Sequence, residues 1–268
     1  PNDVRVIRAF ALDTSRHLAI AGRYPRLLSR PDRYASWIPG GIWAGWRAIR
    51  REGIEAIWST YPIASAHVIG HWLHRLSGLP WIADFRDSMT EEHYPGNRVV
   101  WRDFRCIERA AVSGASRVVF TTPGTRAMYA DRYPSVPGER WSVIPNGYDE
   151  ENFRAAEARL NHLPTPRVSG PLRLLHAGVL YPSERDPTAF FQALARLKER
   201  GTISADTLRI VLRATGHDHR YGPCIEALGI DDLVELAPPQ PYAETLSEML
   251  SADGLLLFQA ANCNHQVP

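Results

Sequence analysis

The sequence predicts two consecutive α/β lobes, each built on a parallel β-sheet covered by helices. Short apolar runs alternate with helical periodicity along the 268 residues, which is typical of a parallel sheet with helical crossovers. The length also exceeds that of a typical single domain. The alternation breaks once, at residues 156–171, where three prolines and a glycine indicate a linker. The predicted lobes therefore cover residues 1–155 and 172–268.

Apolar runs and helix-boundary residues give the individual elements. In the first lobe, strands are predicted at 4–10, 54–60, 80–85, 117–122 and 141–145, and helices at 40–52, 62–77, 98–113 and 123–133. Pro62 and Pro123 suit first helical turns, and Gly78 suits a helix end. In the second lobe, strands are predicted at 172–177, 208–214, 233–237 and 254–259, and helices at 187–200, 222–229 and 241–252.

Composition and charge narrow the class of protein. The formal net charge of +2 argues against a surface built for nucleic acid. The three cysteines are far apart and form no C-x-x-C pair, so we expect neither a disulfide framework nor a zinc site. No apolar run approaches the roughly 18 residues of a membrane-spanning helix. These features predict a cytoplasmic protein.

The strongest site prediction lies at the first strand-to-helix turn of the second lobe. Gly178 ends the strand 172–177, and Asp186 and Pro187 suit the start of the next helix. Free N–H groups at a helix start favour an anion, a glycine allows close backbone approach, and Arg185 adds a permanently charged forked donor. A diphosphate would fit here. The alternative is a plain turn with a surface arginine.

A second polar cluster follows the predicted strand 80–85 of the first lobe. Asp84, Arg86 and Asp87 lie at the carboxyl end of this strand, where open α/β sheets place ligands. A carboxylate there can hydrogen-bond a substrate hydroxyl or stabilise developing positive charge. The alternative is a structural ion pair between aspartate and arginine.

Several segments, in order along the chain, resemble one known family. Residues 178–187 resemble the donor-phosphate loop of family 4 retaining glycosyltransferases, which have the GT-B fold of two Rossmann-like lobes. Residues 146–149 resemble the family's PNG-x-D signature, and 79–87 resemble a PW-x-x-DFRD segment of a bacterial subfamily. The turns at 59–62 and 120–124 match the same pattern, so the resemblance covers nearly the whole chain.

The resemblance implies a role for each matching position. Arg185 corresponds to a basic residue on the donor diphosphate, in the same loop as Gly178. Gly216 and His217 correspond to the part of the second lobe that approaches the nucleotide, and Pro239 lies in the loop resembling the base-contacting turn. In the acceptor lobe, the implied catalytic positions are Asp84, Arg86 and Asp87, and the implied inter-lobe positions are Asn146 and Gly147.

Two features depart from the family pattern. The family often has a second basic residue directly after the loop glycine, where this chain has Val179. Family members also carry two glutamates separated by seven residues after the strand matching 255–258, and this chain reaches Pro268 first. Since the chain also starts at Pro1 beside a strand-like run, we expect pieces to be absent from both ends, an incomplete second lobe, and a chain that folds without activity.

No cofactor or metal is predicted. The D-x-D motif, by which metal-dependent glycosyltransferases of the other major fold hold a divalent ion, does not occur in the sequence. His217, Asp218 and His219 are adjacent residues whose side chains diverge, so we do not expect a metal site there. The donor diphosphate would instead be stabilised by Arg185 and the helix dipole.

Residues 37–51 combine tryptophans with arginines. Trp43 and Trp46 are three residues apart, which predicts that they share a helix face. Residues 1–80 hold 11 arginines and 5 acidic residues. One interpretation is a basic helix lying on the anionic inner face of the cell membrane. The other is an amphipathic helix packed on the sheet.

Together with the resemblance, these observations predict a metal-independent bacterial glycosyltransferase that acts with retention. Its donor would be a UDP- or GDP-linked sugar, and its acceptor the hydroxyl of a sugar or lipid-linked sugar, in polysaccharide or glycolipid synthesis. Two alternatives stay open. One is a sugar-nucleotide 2-epimerase; the other is a non-catalytic sugar-nucleotide-binding protein, which the valine at position 179 motivates.

Overall fold

The protein was analysed as a computed structural model that describes residues 4–20, 23–24, 26–92, 94–160 and 170–259. The chain divides into two compact units, and the division falls between Asn146 and Gly147. Each unit contains a four-stranded parallel sheet in its described part. The predicted class, two consecutive α/β lobes on parallel sheets, is confirmed.

In the first unit, every strand runs parallel to its neighbours, and the sheet order is the order along the chain. Two 3-10 segments, Arg26–Ser29 and Gly138–Arg140, lie between the larger elements. The helices and strands are α1 Thr14–His17, α2 Trp37–Glu52, β1 Ile57–Tyr61, α3 Ala64–Ser77, β2 Trp81–Phe85, α4 Arg98–Gly114, β3 Arg117–Phe120, α5 Pro123–Arg132 and β4 Trp141–Val143.

The strand predicted at 4–10 does not form. Residues 4–10 are irregular, and Val4 and Phe10 are 70% and 68% exposed. The local alternation of Val4, Arg5 and Val6 is strand-like, but a strand also needs a paired neighbour, and these residues pair with none in the described structure. A second correction concerns Pro62, which precedes α3 instead of entering its first turn.

The core of the first unit surrounds β2, whose side chains are almost entirely buried. Trp81 and Phe85 from this strand pack with Tyr61 and Phe120 from the flanking strands. Gly70 on α3 lies against this core, since a Cβ there would be 2.6 Å from Trp81 Nε1. The absence of a side chain at residue 70 therefore lets α3 approach the sheet closely.

The second unit repeats the plan with the strand order β7-β6-β5-β8, all parallel. Its core packs Phe191, Leu194 and Tyr221 from the helices against Ile210 and Leu212 of the sheet. Its elements are α6 Glu150–Arg159, β5 Leu172–Ala177, α7 Thr188–Glu199, β6 Leu208–Arg213, α8 Asp218–Ala227, β7 Val234–Ala237, α9 Tyr242–Ser251 and β8 Gly254–Leu255.

The segment at 150–159 differs from its prediction as the end of the first lobe and the start of a linker. It forms α6, which packs against α9 in the second unit. The Asp149 carboxylate accepts from the Glu151 N–H at 2.9 Å, and two acidic residues occupy the first turn, which the helix dipole favours. Of the remaining predicted linker residues, 161–169 lie outside the described residues.

Glu108 forms a buried charged centre in the first unit. Its side chain is fully buried on α4. Its two oxygens accept hydrogen bonds of 2.5–3.1 Å from five side chains, namely Thr90, Arg105, Tyr129, Arg132 and Tyr133. These partners join α4 and α5 to the loop that follows β2. A buried carboxylate with this many donors has its hydrogen-bonding capacity filled, and each of the donor groups has a hydrogen-bond acceptor in it.

We expect Glu108→Ala to lower the free energy of unfolding by about 3 kcal/mol or more, because it leaves two guanidinium groups without their buried counter-charge. Urea denaturation followed by circular dichroism measures this. Glu157→Ala, at an exposed position of α6, serves as the control. Equal stability of the two variants would contradict the role of Glu108.

His67 gives the stability a defined pH dependence. The ring is fully buried, lies 2.8 Å from Ser59 Oγ through Nδ1, and burial lowers its pKa to about 3. Since the unfolded chain takes up this proton near pH 6.5, the folded state must lose stability as the pH falls below that value. We expect a slope of about 1.4 kcal/mol per pH unit from this group between pH 6 and 5. Denaturation of the wild type and His67→Gln at several pH values tests this, and an unchanged slope in the variant would refute it.

Candidate functional site

The parallel sheet of the first unit brings polar residues to one edge. Thr60 and Asp84 are direct neighbours across β1 and β2, and Thr60 Oγ1 donates to Asp84 Oδ2 at 3.0 Å. Asp84 is buried, with 5% of its surface exposed. Thr60 therefore orients its carboxylate at the carboxyl end of β2.

Arg86 and Asn146 are brought together at the same edge. The Arg86 guanidinium donates to the Asn146 side-chain oxygen, and the Arg86 carbonyl accepts from Thr121 Oγ1 at 3.0 Å. The predicted alternative, an ion pair between Arg86 and one of the two aspartates, is not formed in the described structure. Gly147 is exposed and is the first residue after the division between the units.

Asp87 has a different environment from Asp84. No side chain in the described structure forms a hydrogen bond or ion pair with its carboxylate. Removal of water by the surrounding atoms raises the pKa of Asp87, and the nearby Arg86 charge lowers it by a smaller amount. A carboxyl group that holds its proton to a higher pH than usual is suited to proton exchange with a bound hydroxyl.

In the second unit, the loops after β5 and β6 run side by side. The Gly178 N–H donates to the Arg213 carbonyl, and the Leu180 N–H to the Thr215 carbonyl, both at 3.0 Å. Gly178 has φ +138°, a conformation that favours glycine, while a Cβ there would meet no atom. The glycine is thus needed for backbone conformation, and the space beside it is open to a ligand.

Arg185 and His217 are linked through an aromatic residue that the sequence prediction missed. The Arg185 guanidinium lies 6.0 Å from the centre of the Tyr181 ring, and the Tyr181 ring lies edge-on to His217 at 6.4 Å. Arg185 is exposed, and among the described residues its one hydrogen bond is a long 3.5 Å contact to the Val179 carbonyl. Its charge is therefore available to an anion near Gly178.

A cavity of 360 Å³ contains two of the predicted donor residues, Gly216 and Pro239. The other lining residues, Ala214, Asp218 and His219, were not predicted as donor-binding residues. Ala214 adopts φ +58°, which is rare and strained for a residue with a side chain. An alanine gives no sequence signal for such a conformation, so this part of the loop could not be predicted.

Thr215 holds the loop after β6 in place. Its side chain is buried, and its hydroxyl donates to the Asp218 carboxylate and accepts from the His217 N–H at 3.2 Å. Gly216 follows with φ +72°, and a Cβ on it would lie 3.4 Å from Val179. The structure thus brings Gly178, Gly216 and His217 into one connected group of loops.

Helix α7 begins close to its predicted position. The helix starts at Thr188 with Pro187 as its N-cap, so both boundary residues lie one position earlier than predicted, and Asp186 Oδ1 accepts from the Thr188 N–H at 3.0 Å just before the helix. Within the described ranges, no group of three His, Cys, Asp or Glu side chains is arranged to hold a metal ion. The rings of His217 and His219 lie 6.0 Å apart.

Helix α2 presents only part of the predicted aromatic face. Trp46 packs against the core with Ile42 and Ile49, while Trp43 is 64% exposed. The Arg47 guanidinium lies over the Trp43 ring at 5.5 Å. The two tryptophans do not share one buried face, because Trp43 lies about 60° around the helix from Trp46 and so falls at the margin of the side that packs through Ile42 and Ile49. No helix in the described ranges is both long and apolar enough to cross a membrane.

Comparison with known proteins gives two kinds of match. The sequence profile of Glycosyltransferase Family 4 matches residues 2–152, which is more than half of the chain. The chain is 26% identical over 174 residues to the D-inositol 3-phosphate glycosyltransferase of Kineococcus radiotolerans, covering 58% of this chain and 40% of that protein.

Solved structures share the fold at low sequence identity. The sucrose-phosphate synthase of Thermosynechococcus elongatus aligns with a TM-score of 0.59 and 15% identity, over 82% of this chain and 54% of that one. Anabaena Alr3699/HepE, solved in complex with UDP and glucose, aligns with a TM-score of 0.55 and 15% identity, over 82% and 55% of the two chains. The chain thus spans about half the length of the proteins it matches.

Proposed function

The chain belongs to glycosyltransferase family 4 and has the α/β architecture of GT-B enzymes, and from this we propose that it transfers a sugar from a nucleotide-sugar donor to an acceptor hydroxyl. The observation that carries the proposal is the group of loops in the second unit around Gly178 and Gly216. It presents the free guanidinium of Arg185 beside an open backbone turn. That arrangement suits a diphosphate leaving group.

The donor in this proposal is a UDP- or GDP-linked sugar. The diphosphate would lie against Gly178 and Arg185, and the nucleoside would enter the cavity lined by Gly216 and Pro239. Arg185 would stabilise the charge that develops on the departing diphosphate, which requires no metal ion. The structure of HepE with UDP and glucose supports a nucleotide donor for a protein of this fold.

The acceptor in this proposal binds at the edge of the first unit. Asp84, oriented by Thr60, would orient or polarise the acceptor hydroxyl. Asp87 would exchange a proton with that hydroxyl, and Asn146 would hold the Arg86 side chain in position. We propose retention of the anomeric configuration, and a role in polysaccharide or glycolipid synthesis. The name of the Kineococcus relative supports a phosphorylated polyol, inositol phosphate, as one class of acceptor.

We also propose that α2 contacts an anionic lipid surface. The exposed indole of Trp43 and the three exposed arginines Arg47, Arg50 and Arg51 lie on the helix away from the core. An interfacial tryptophan beside basic residues is typical of peripheral membrane helices. This contact would bring the enzyme to a lipid-linked acceptor at the inner face of the cell membrane.

We expect Arg185→Ala to weaken UDP or GDP binding about tenfold, because it removes a charge-assisted hydrogen bond worth about 1.4 kcal/mol. Isothermal titration calorimetry on the full chain measures this. Arg200→Ala, at an exposed arginine after the other end of α7, should bind like the wild type. Equal affinities of the wild type, Arg185→Ala and Arg200→Ala for the nucleotide would contradict a role of Arg185 in donor binding.

In a form of the enzyme that carries out sugar transfer, we expect Asp84→Asn to slow the transfer about a hundredfold or more while UDP affinity stays unchanged, since the amide keeps the Thr60 contact but loses the charge. Asp131→Asn, at an exposed site on α5, is the control. Product analysis by NMR in the same assay separates the alternatives. A product of unchanged anomeric configuration supports retention, isomerised donor without acceptor indicates an epimerase, and donor binding without turnover indicates a binding protein.

A further inference from the structure

A cavity of 480 Å³ lies at the start of α4 in the first unit, apart from the residues assigned above. Its charged and aromatic side chains are two arginines, one glutamate and one tryptophan. Its lining residues are Glu92, Pro95, Gly96, Arg98, Trp101 and Arg102.

Hydrogen bonds fix the frame of this cavity. The Glu91 N–H donates to the Tyr94 carbonyl at 2.8 Å, and the Trp101 indole N–H donates to the Glu91 carbonyl at 2.9 Å. The Tyr94 hydroxyl lies 3.3 Å from the Tyr61 hydroxyl at the end of β1. Burial raises the pKa of Tyr61, and Tyr94 and Asp87 add to that effect. The cavity is therefore close to the edge that carries Asp87.

Neither arginine in the cavity forms an ion pair in the described structure, although the Glu92 side chain lines the same cavity. Arg98 and Arg102 are one turn apart, and both are exposed. Neighbouring charges on the same helix are paired, since Arg105 binds Glu108 and Asp103 accepts two hydrogen bonds of 2.6 Å from Arg30. Arg98 and Arg102 are the unpaired arginines of α4 that line the cavity, whereas Arg109, also exposed and without an ion pair in the described structure, lies further along the helix.

Their position on the helix is electrostatically unfavourable. The first turn of α4 contains no acidic residue, and the helix dipole disfavours cations at this end. Like charges spaced four residues apart also repel. The Asn97 side chain already accepts from the N–H groups of Val99 and Val100, so it does not offset this charge. An anion in the cavity would relieve both effects.

We propose that this cavity binds a phosphate monoester carried by the acceptor sugar. The forked guanidinium groups of Arg98 and Arg102 would hold the phosphate oxygens, and the Trp101 indole would form an apolar wall for the sugar ring. The inference rests on the proposed function, because it assigns the acceptor of that reaction to a chemical class. It places the phosphate recognition on α4 and leaves Asp84 and Asp87 to the reacting hydroxyl.

The test is calorimetric titration of the full chain at low salt with glucose 6-phosphate, inorganic phosphate and glucose. We expect both phosphates to bind and glucose to bind at least tenfold more weakly. In R98Q/R102Q, the affinity for both phosphates should fall at least tenfold. Arg109→Gln removes an exposed arginine further along α4 and should leave both affinities unchanged. Circular dichroism checks that the variants fold, which the exposure of all three side chains favours.

Three outcomes would overturn the proposal. They are equal glucose 6-phosphate affinity in R98Q/R102Q and the wild type, an equal loss in Arg109→Gln, and the absence of phosphate binding by the wild type. UDP titrated into the same samples reports separately on the donor role. If the wild type binds UDP but no phosphate, only the acceptor site is overturned. If phosphate binding is lost in R98Q/R102Q and no sample binds UDP, the phosphate site is supported and the proposed function is contradicted.

Discussion

Parallel strand pairing is the constraint on which both units depend. When every strand in a sheet runs the same way, the residues that follow each strand emerge at one edge. In the first unit this places Asp84 beside Thr60, and it brings Arg86 within reach of Thr121 and Asn146. In the second unit it lays the turn at Gly178 against the loop after β6. Positions far apart in the sequence become neighbours without long loops.

The strands of both sheets could be predicted closely because each is a short apolar run between helical segments. The wrong predictions share one physical cause. Whether a segment forms a strand or a helix depends on the elements it packs against, and the sequence of that segment alone does not show them. Residues 4–10 have a strand pattern but no paired neighbour, and 150–159 have a poor apolar pattern but a capped start and a partner in α9. Helix α8 begins at Asp218 and continues through Gly222 and Pro223, residues that locally indicate a break.

The sequence could predict those parts of the candidate site that contain glycines or charged residues. Gly178 and Gly216 both adopt positive φ values, and Asp84 and Arg86 lie at the expected strand end. The hydrogen-bond partners of a side chain and a strained backbone conformation give no comparable signal in the sequence. Sequence reasoning could not select Asn146 over an aspartate as the partner of Arg86, nor predict the left-handed Ala214. The sequence also cannot distinguish Arg98 and Arg102, which line a cavity, from Arg109, which does not.

The hydrogen-bond donors around Glu108 also determine which parts of the first unit can unfold locally. The loop with Met89 and Thr90 is tied to two helices, since the Met89 N–H donates to Tyr129 and Thr90 donates to Glu108 itself. Local opening of this loop would expose a charge and several hydroxyls at once, so its amides should exchange with solvent hydrogen only when α4 and α5 also open. The segment next to the edge that carries Asp84 and Asp87 should thus exchange with the slow core of the unit, unlike the mobile surface loops on which many binding sites depend.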